Sequence, residues 1–197
     1  MEDREYLIRE IDKCSNGLLF NVALNIEKLL TSLSFMNLIS YEKFNYTGNE
    51  NYLVTLAMLG TYGFMAMYKY EKLYRKESLQ VRLDINEIAL NVKNKYESAR
   101  VLLEEWFDNY DLESRNHAVF AFGDVFFGTF LFMVCANTPW VNIFKGFTLQ
   151  EIGGLISGYL ATRLIDNALL SSTYYRLSGD NQILLDLDDL RRERRHK

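Results

Sequence analysis

Along this chain apolar residues gather into long runs and recur every three or four positions, the spacing of helices rather than of strands. Between Glu50 and Lys69 stands NYLVTLAMLGTYGFMAMY, eighteen residues without a charge. Between Asp124 and Lys145 stands VFFGTFLFMVCANTPWVNIF, twenty more. At about 1.5 Å per helical residue, each is long enough to cross a hydrocarbon core of about 30 Å. Two further apolar stretches flank them. Residues 14–41 are interrupted only by Glu27 and Lys28, and residues 149–172 carry Arg163 and Asp166 near their middle. The second begins at TLQE, where Thr148 and Glu151 have the capping-box spacing of a helix start.

Basic residues choose between two spans and four, because loops on the cytoplasmic or matrix side collect Lys and Arg. If all four stretches cross, the first tail holds Arg4, Arg9 and Lys13, and the first short loop holds only Lys43. The central loop, 69–116, then holds nine basic residues, the next short loop only Lys145, and the final tail Arg176 and RRERRHK. Two spans alone would place the central loop opposite both tails. The pattern therefore predicts an all-α, polytopic membrane protein forming one helical domain. It has four transmembrane helices, 16–41, 51–68, 117–139 and 149–172, with both termini inside.

The central loop reads as an inner amphipathic helix, 77–112. Val81, Ile85, Ile88, Val92, Tyr96, Ala99, Leu103, Trp106 and Tyr110 step along one face, with charges on the others. Little else outside the membrane is large enough to cover such a stripe, which predicts a partner: another copy or another protein. After LSGDNQ, read as a turn, the basic tail 182–197 forms a short closing helix. Its Arg191, Arg192, Arg194 and Arg195 suit anionic lipid or an acidic partner.

Composition narrows the function. The 197 residues include one proline, Pro139, so helix breakers are scarce, and no run alternates strictly enough to predict a strand. A formal net charge of −4 gives no pull toward nucleic acid. Cys14 and Cys135 are too few for a disulfide framework, and MEDREYLIREIDK reads as neither secretory signal nor transit peptide. Two histidines, His117 and His196, supply no metal-ligand pair. No phosphate-binding, dinucleotide-binding or nucleophile-elbow motif is present, and the R-x4-H spacing from Arg191 to His196 lies in a repetitive basic run. The expectation is a non-enzyme without cofactor or metal.

Three constellations carry what chemistry there is. Arg163 and Asp166 share a helix face and are placed to pair, while Asp124, Glu27 and Lys28 stand similarly inside their spans. Such charges turn inward, either to fix packing as interhelical ion pairs or to line a conduction path. Gly154, Gly158 and Thr162 form a strip of small residues where a helix can approach closely, and Gly60, Gly63, Gly123 and Gly128 suggest the same elsewhere. On 14–41, Asn21, Asn25, Lys28 and Ser32 form a polar stripe opposite Leu19, Val22, Ile26, Leu29 and Leu33, a pattern that also suits a surface-lying or soluble helix.

In topology the chain resembles four-span oligomeric channels. It also resembles small bacterial membrane proteins of anti-phage systems, such as the membrane component of the Kiwa system, and supernumerary subunits of respiratory or ATP-synthase assemblies. These likenesses imply a subunit that oligomerises or holds a partner at the plasma, inner or mitochondrial inner membrane. The expected function is a non-catalytic membrane subunit docking through its inner helix, with a pore using Asp124, Arg163 and Asp166 as the alternative. A soluble helical adaptor, favoured by a mean hydropathy of −0.12, is the third reading.

Overall fold

The structure, a computed structural model, describes residues 4–40, 49–91, 95–137, 141–144 and 146–195. Val92 and the side chains of Tyr96, Arg191, Arg192, Arg194 and Arg195 lie outside the described residues. The chain is almost entirely helical: α1 (Arg4–Lys13), α2 (Leu18–Ser40), α3 (Asn49–Asn91), α4 (Lys95–Asn137) and α5 (Leu149–Arg195). A small antiparallel hairpin, β1 (Asn142–Phe144) with β2 (Phe147–Thr148), precedes α5. This pair corrects the expectation of no strand. It is too short for periodicity to reveal, and Gly146, at φ 97°, supplies the left-handed turn residue.

Two compact units divide the chain. The first comprises Met1–Asn16, Lys69–His117 and Leu170–Lys197; the second comprises Gly17–Tyr68 and Ala118–Leu169. α3, α4 and α5 each contribute to both.

The first unit corrects the single inner helix. Val81 and Leu103 are 22 residues apart, about 33 Å along one straight helix, yet they belong to one cluster with Tyr110 and Leu177. They meet because α3 ends at Asn91 and α4, starting at Lys95, runs back antiparallel, so that Tyr110 Oη donates to Glu77 at 3.1 Å. Ile85, Trp106, Tyr74, Tyr174 and Leu185 close around the cluster. Val81, Leu103 and Tyr110 of the stripe are thus buried by the chain itself and need no partner to cover them. α5 also runs unbroken through LSGDNQ, correcting the predicted turn. Gly179 in a helix interior costs about 1 kcal/mol. Burial of Leu177, with the Tyr74–Asp180 hydrogen bond, opposes that cost.

The second unit is built the other way round. Its buried side chains include Thr31, Ser32, Ser34, Thr55, Asp124, Gln150, Ser157, Thr162 and Asn167, against few apolar ones: Leu24, Tyr62, Ala66 and Cys135. Of the thirty-five exposed large hydrophobic residues described, twenty-seven are in this unit. On α2 the inversion is explicit: Leu19 is 85% exposed while Ser32 is 4% exposed. Asn21 and Asn25 are exposed as well, so the predicted polar stripe turns inward only from Lys28 onward.

Two helical stretches among the described residues are long and apolar enough to cross a membrane, one within Arg4–Leu38 and one within Glu97–Cys135. Only 22% and 17% of their most apolar windows are buried, whereas the core helix of a soluble domain is mostly covered. The stretch 51–68 is not one of the two, because Asn51 and its tyrosines, threonines and glycines dilute its leucine and methionine.

Candidate functional site

The chemically distinctive place in the chain is a layer of ionisable side chains inside the second unit, and α5 organises it. Asp166 Oδ2 accepts hydrogen bonds from Lys28 Nζ of α2 at 3.0 Å and from Tyr62 Oη of α3 at 2.7 Å. The Lys28 ammonium also lies 5.2 Å from the centre of the Tyr159 ring and 5.9 Å from that of Tyr62, cation–π distances for both. The next residue, Asn167, donates through Nδ2 to Asp124 Oδ2 of α4 at 2.8 Å, and Arg163 Nε, about a turn before Asp166, approaches the same oxygen at 3.7 Å.

Arg163 and Asp166, predicted to pair with each other, thus each reach a different helix. Their shared face on α5 lets one helix bind α4 with its cation and α2 and α3 with its anion. A lone charge in a low-dielectric interior is costly, and these opposite charges bring their own compensation. Glu27 is the exception. Its Oε1 is buried with no hydrogen-bond partner among the described residues, as is Thr31 Oγ1, one turn further along α2.

Small residues let the helices close in. A Cβ on Gly158 would lie 2.7 Å from Ser32 Cα and 2.9 Å from Phe35 Cβ, so α2 and α5 touch backbone to backbone there. Thr162, on the predicted strip, is fully buried, and Gly154 is buried. The sequence reading missed Gly153, where a Cβ would strike Cys135 of α4; its only signal was adjacency to Gly154. Gly128 meets Leu160 in ordinary contact, whereas Gly60, Gly63 and Gly123 face open space, correcting the expectation of close approach at those three. At the head of α5 the capping box forms as predicted: Thr148 N donates to Glu151 Oε2 at 2.8 Å, and Glu151 N donates back to Thr148 Oγ1 at 3.3 Å.

In the first unit the polar contacts support packing. Burial, then the nearby Glu77 carboxylate, pushes the Tyr110 phenol well above its ordinary range. The hydrogen bond to Asp180 raises Tyr74, and burial raises Tyr174. Arg176 stacks on the Tyr74 ring at 4.0 Å and donates to Glu71 at 3.1 Å. His117 stacks on Tyr174 with ring centroids 5.8 Å apart. An open groove of about 550 Å³ runs over Val81, Ile85 and Leu177, edged by Arg82, Asp180 and Asn181. Of the predicted docking stripe, Val81, Leu103 and Tyr110 are buried, and Ile85, Ile88 and Trp106 are half-buried.

No group of three or more His, Cys, Asp or Glu residues able to hold a metal ion occurs among the described residues. No protein-family model, curated protein or solved structure matches the chain.

Proposed function

We propose that the chain is a non-catalytic integral membrane subunit. In this reading 16–41, 51–68, 117–139 and 149–172 all cross, both termini share the basic side, and the first unit forms a water-facing helical head there. The observation that carries it is the inversion of the second unit, which buries hydroxyls, amides and charges and exposes phenylalanine, leucine and valine. Water would impose the opposite arrangement, whereas lipid rewards it. The basic residues that favour four spans in sequence then sit on the head's side, at Lys69, Lys72, Arg75 and Lys76 on α3 and Arg176 on α5.

The ionic layer is a clasp in this account. Lys28–Asp166 and Arg163–Asp124 balance one another across three helices, as packing requires. We assign the subunit to self-association within the bilayer rather than to docking through the Val81–Tyr110 stripe, which the head uses for its own core.

Alkaline carbonate washing of expressing membranes tests the reading. The chain is expected to stay in the pellet and to dissolve only in detergent; release into the carbonate supernatant would reject it. The second reading, a conduction path, is favoured by the half-exposed Arg163 guanidinium beside Asp124. Ion flux in reconstituted vesicles that Arg163→Leu changes would support conduction, and absence of flux supports the clasp.

A further inference from the structure

Arg163 is the one member of the ionic layer that is only partly enclosed. Its side chain is 42% exposed, against 8% for Asp124, and it turns Nε toward that carboxylate at 3.7 Å. Both Nη groups, with four N–H donors between them, have no acceptor among the described residues. On the same face of α5, Ile156 and Tyr159 are exposed. A guanidinium flanked by such groups cannot face lipid cheaply.

A matching deficit exists on α2. Its exposed face carries Leu18, Val22 and Leu29, with the carboxamide of Asn25 among them. Depth decides whether the two can meet. The Gly158–Ser32 contact sets α2 and α5 at one level, and the Lys28–Asp166 bond, further toward the same end, makes them antiparallel. From that level Arg163 is five residues along α5, about 7.5 Å, and Asn25 is seven residues along α2, about 10.5 Å, in the same direction. They differ by about 3 Å in depth, within a side chain's reach, and Tyr159 and Leu29 differ by the same amount.

We propose that copies of this chain associate head-to-tail in the membrane, Arg163 of one donating to the Asn25 carboxamide of the next; this rests on the membrane reading above. A cyclic assembly about the membrane normal keeps every residue at its own depth, so only groups at equal depth pair across it. Two-fold packing of the α5 face on itself would set Arg163 against Arg163, whereas the heterologous arrangement gives the donors an acceptor. Tyr159 then packs on Leu29.

The full chain carrying Cys14→Ser and Cys135→Ala, with Tyr159→Cys and Leu29→Cys together, is treated in native membranes with a short bismaleimide. The expected product is a ladder extending beyond the dimer. Each single cysteine should give none, and adding Arg163→Leu should reduce the ladder at least several-fold while the protein stays carbonate-resistant. Light scattering of the unmodified chain in detergent should give a multiple of the monomer mass. A carbonate-resistant monomer, or dimers from Tyr159→Cys alone, would overturn the proposal and leave the membrane reading standing. Release by carbonate would overturn that reading first.

Discussion

Gly158 of α5 and Ser32 of α2 lie so close that a Cβ on the glycine would be 2.7 Å from the serine Cα. Nothing flexible stands there to move aside, since the obstacle is backbone. The same contact aligns Lys28 with Asp166 and fixes the level of the ionic layer. Gly158→Val should therefore separate the two helices, costing about 1 to 3 kcal/mol as overpacking does. Gly60→Ala, whose Cβ meets nothing within 4 Å, should cost nothing measurable. Thermal unfolding in detergent compares the two; equal loss in both would refute the close approach.

The Lys28–Asp166 pair has side chains only 22% and 19% exposed, so removing one partner strands the other. Lys28→Met or Asp166→Leu alone should each destabilise by about 3 kcal/mol, the lower end for broken buried pairs, and the double substitution should recover much of that loss. A double-mutant cycle with no coupling would show the clasp to be idle.

The head makes a different prediction. Leu177 and Val81 are buried in one core cluster, so Leu177→Ala should cost about 2 to 5 kcal/mol, and hydrogen exchange should rise throughout the head rather than at one face. Unchanged stability with loss of a co-purifying protein would restore the stripe as a docking surface.

Alkali tests the head's tyrosines. Tyr110, Tyr74 and Tyr174 all hold their protons more tightly folded than unfolded. Their contribution is complete below the ordinary tyrosine pKa of about 10. It is lost as pH rises through the raised folded values, because the unfolded chain then binds fewer protons. Stability measured by circular dichroism should therefore fall as pH rises above about 10. Tyr110→Phe should flatten that fall while costing about 1 kcal/mol at neutral pH through loss of its bond to Glu77. An equally steep fall in the variant would contradict the assignment.

What the sequence disclosed follows from what local pattern can encode. Helical period, the Thr148–Glu151 cap and the charged residues Lys28, Asp124, Arg163 and Asp166 were legible, whereas Tyr62 and Asn167, which bond to two of those charges, were not. The antiparallel packing of α4 along α3 was not. A stripe from Val81 to Tyr110 has the same period whether one helix carries it or two meet along it, and neither proline nor glycine marks the break. LSGDNQ misled in the opposite direction, since tertiary contacts at Leu177 and Asp180 override its turn chemistry. The partners of Arg163 and Asp166 depend on which helices flank α5, and spacing along one helix carries no such information.

Lipid contact at the outer face of the second unit is the point on which the whole account turns. Spin labels placed singly at Phe126 and Leu29, both exposed, and at Thr162, fully buried, report it directly through relaxation by oxygen and by a water-soluble nickel chelate in proteoliposomes. The account predicts strong oxygen and negligible nickel relaxation at Phe126 and Leu29, and weak relaxation by either at Thr162. Nickel relaxation at Phe126 and Leu29 matching that of an aqueous surface site would contradict it.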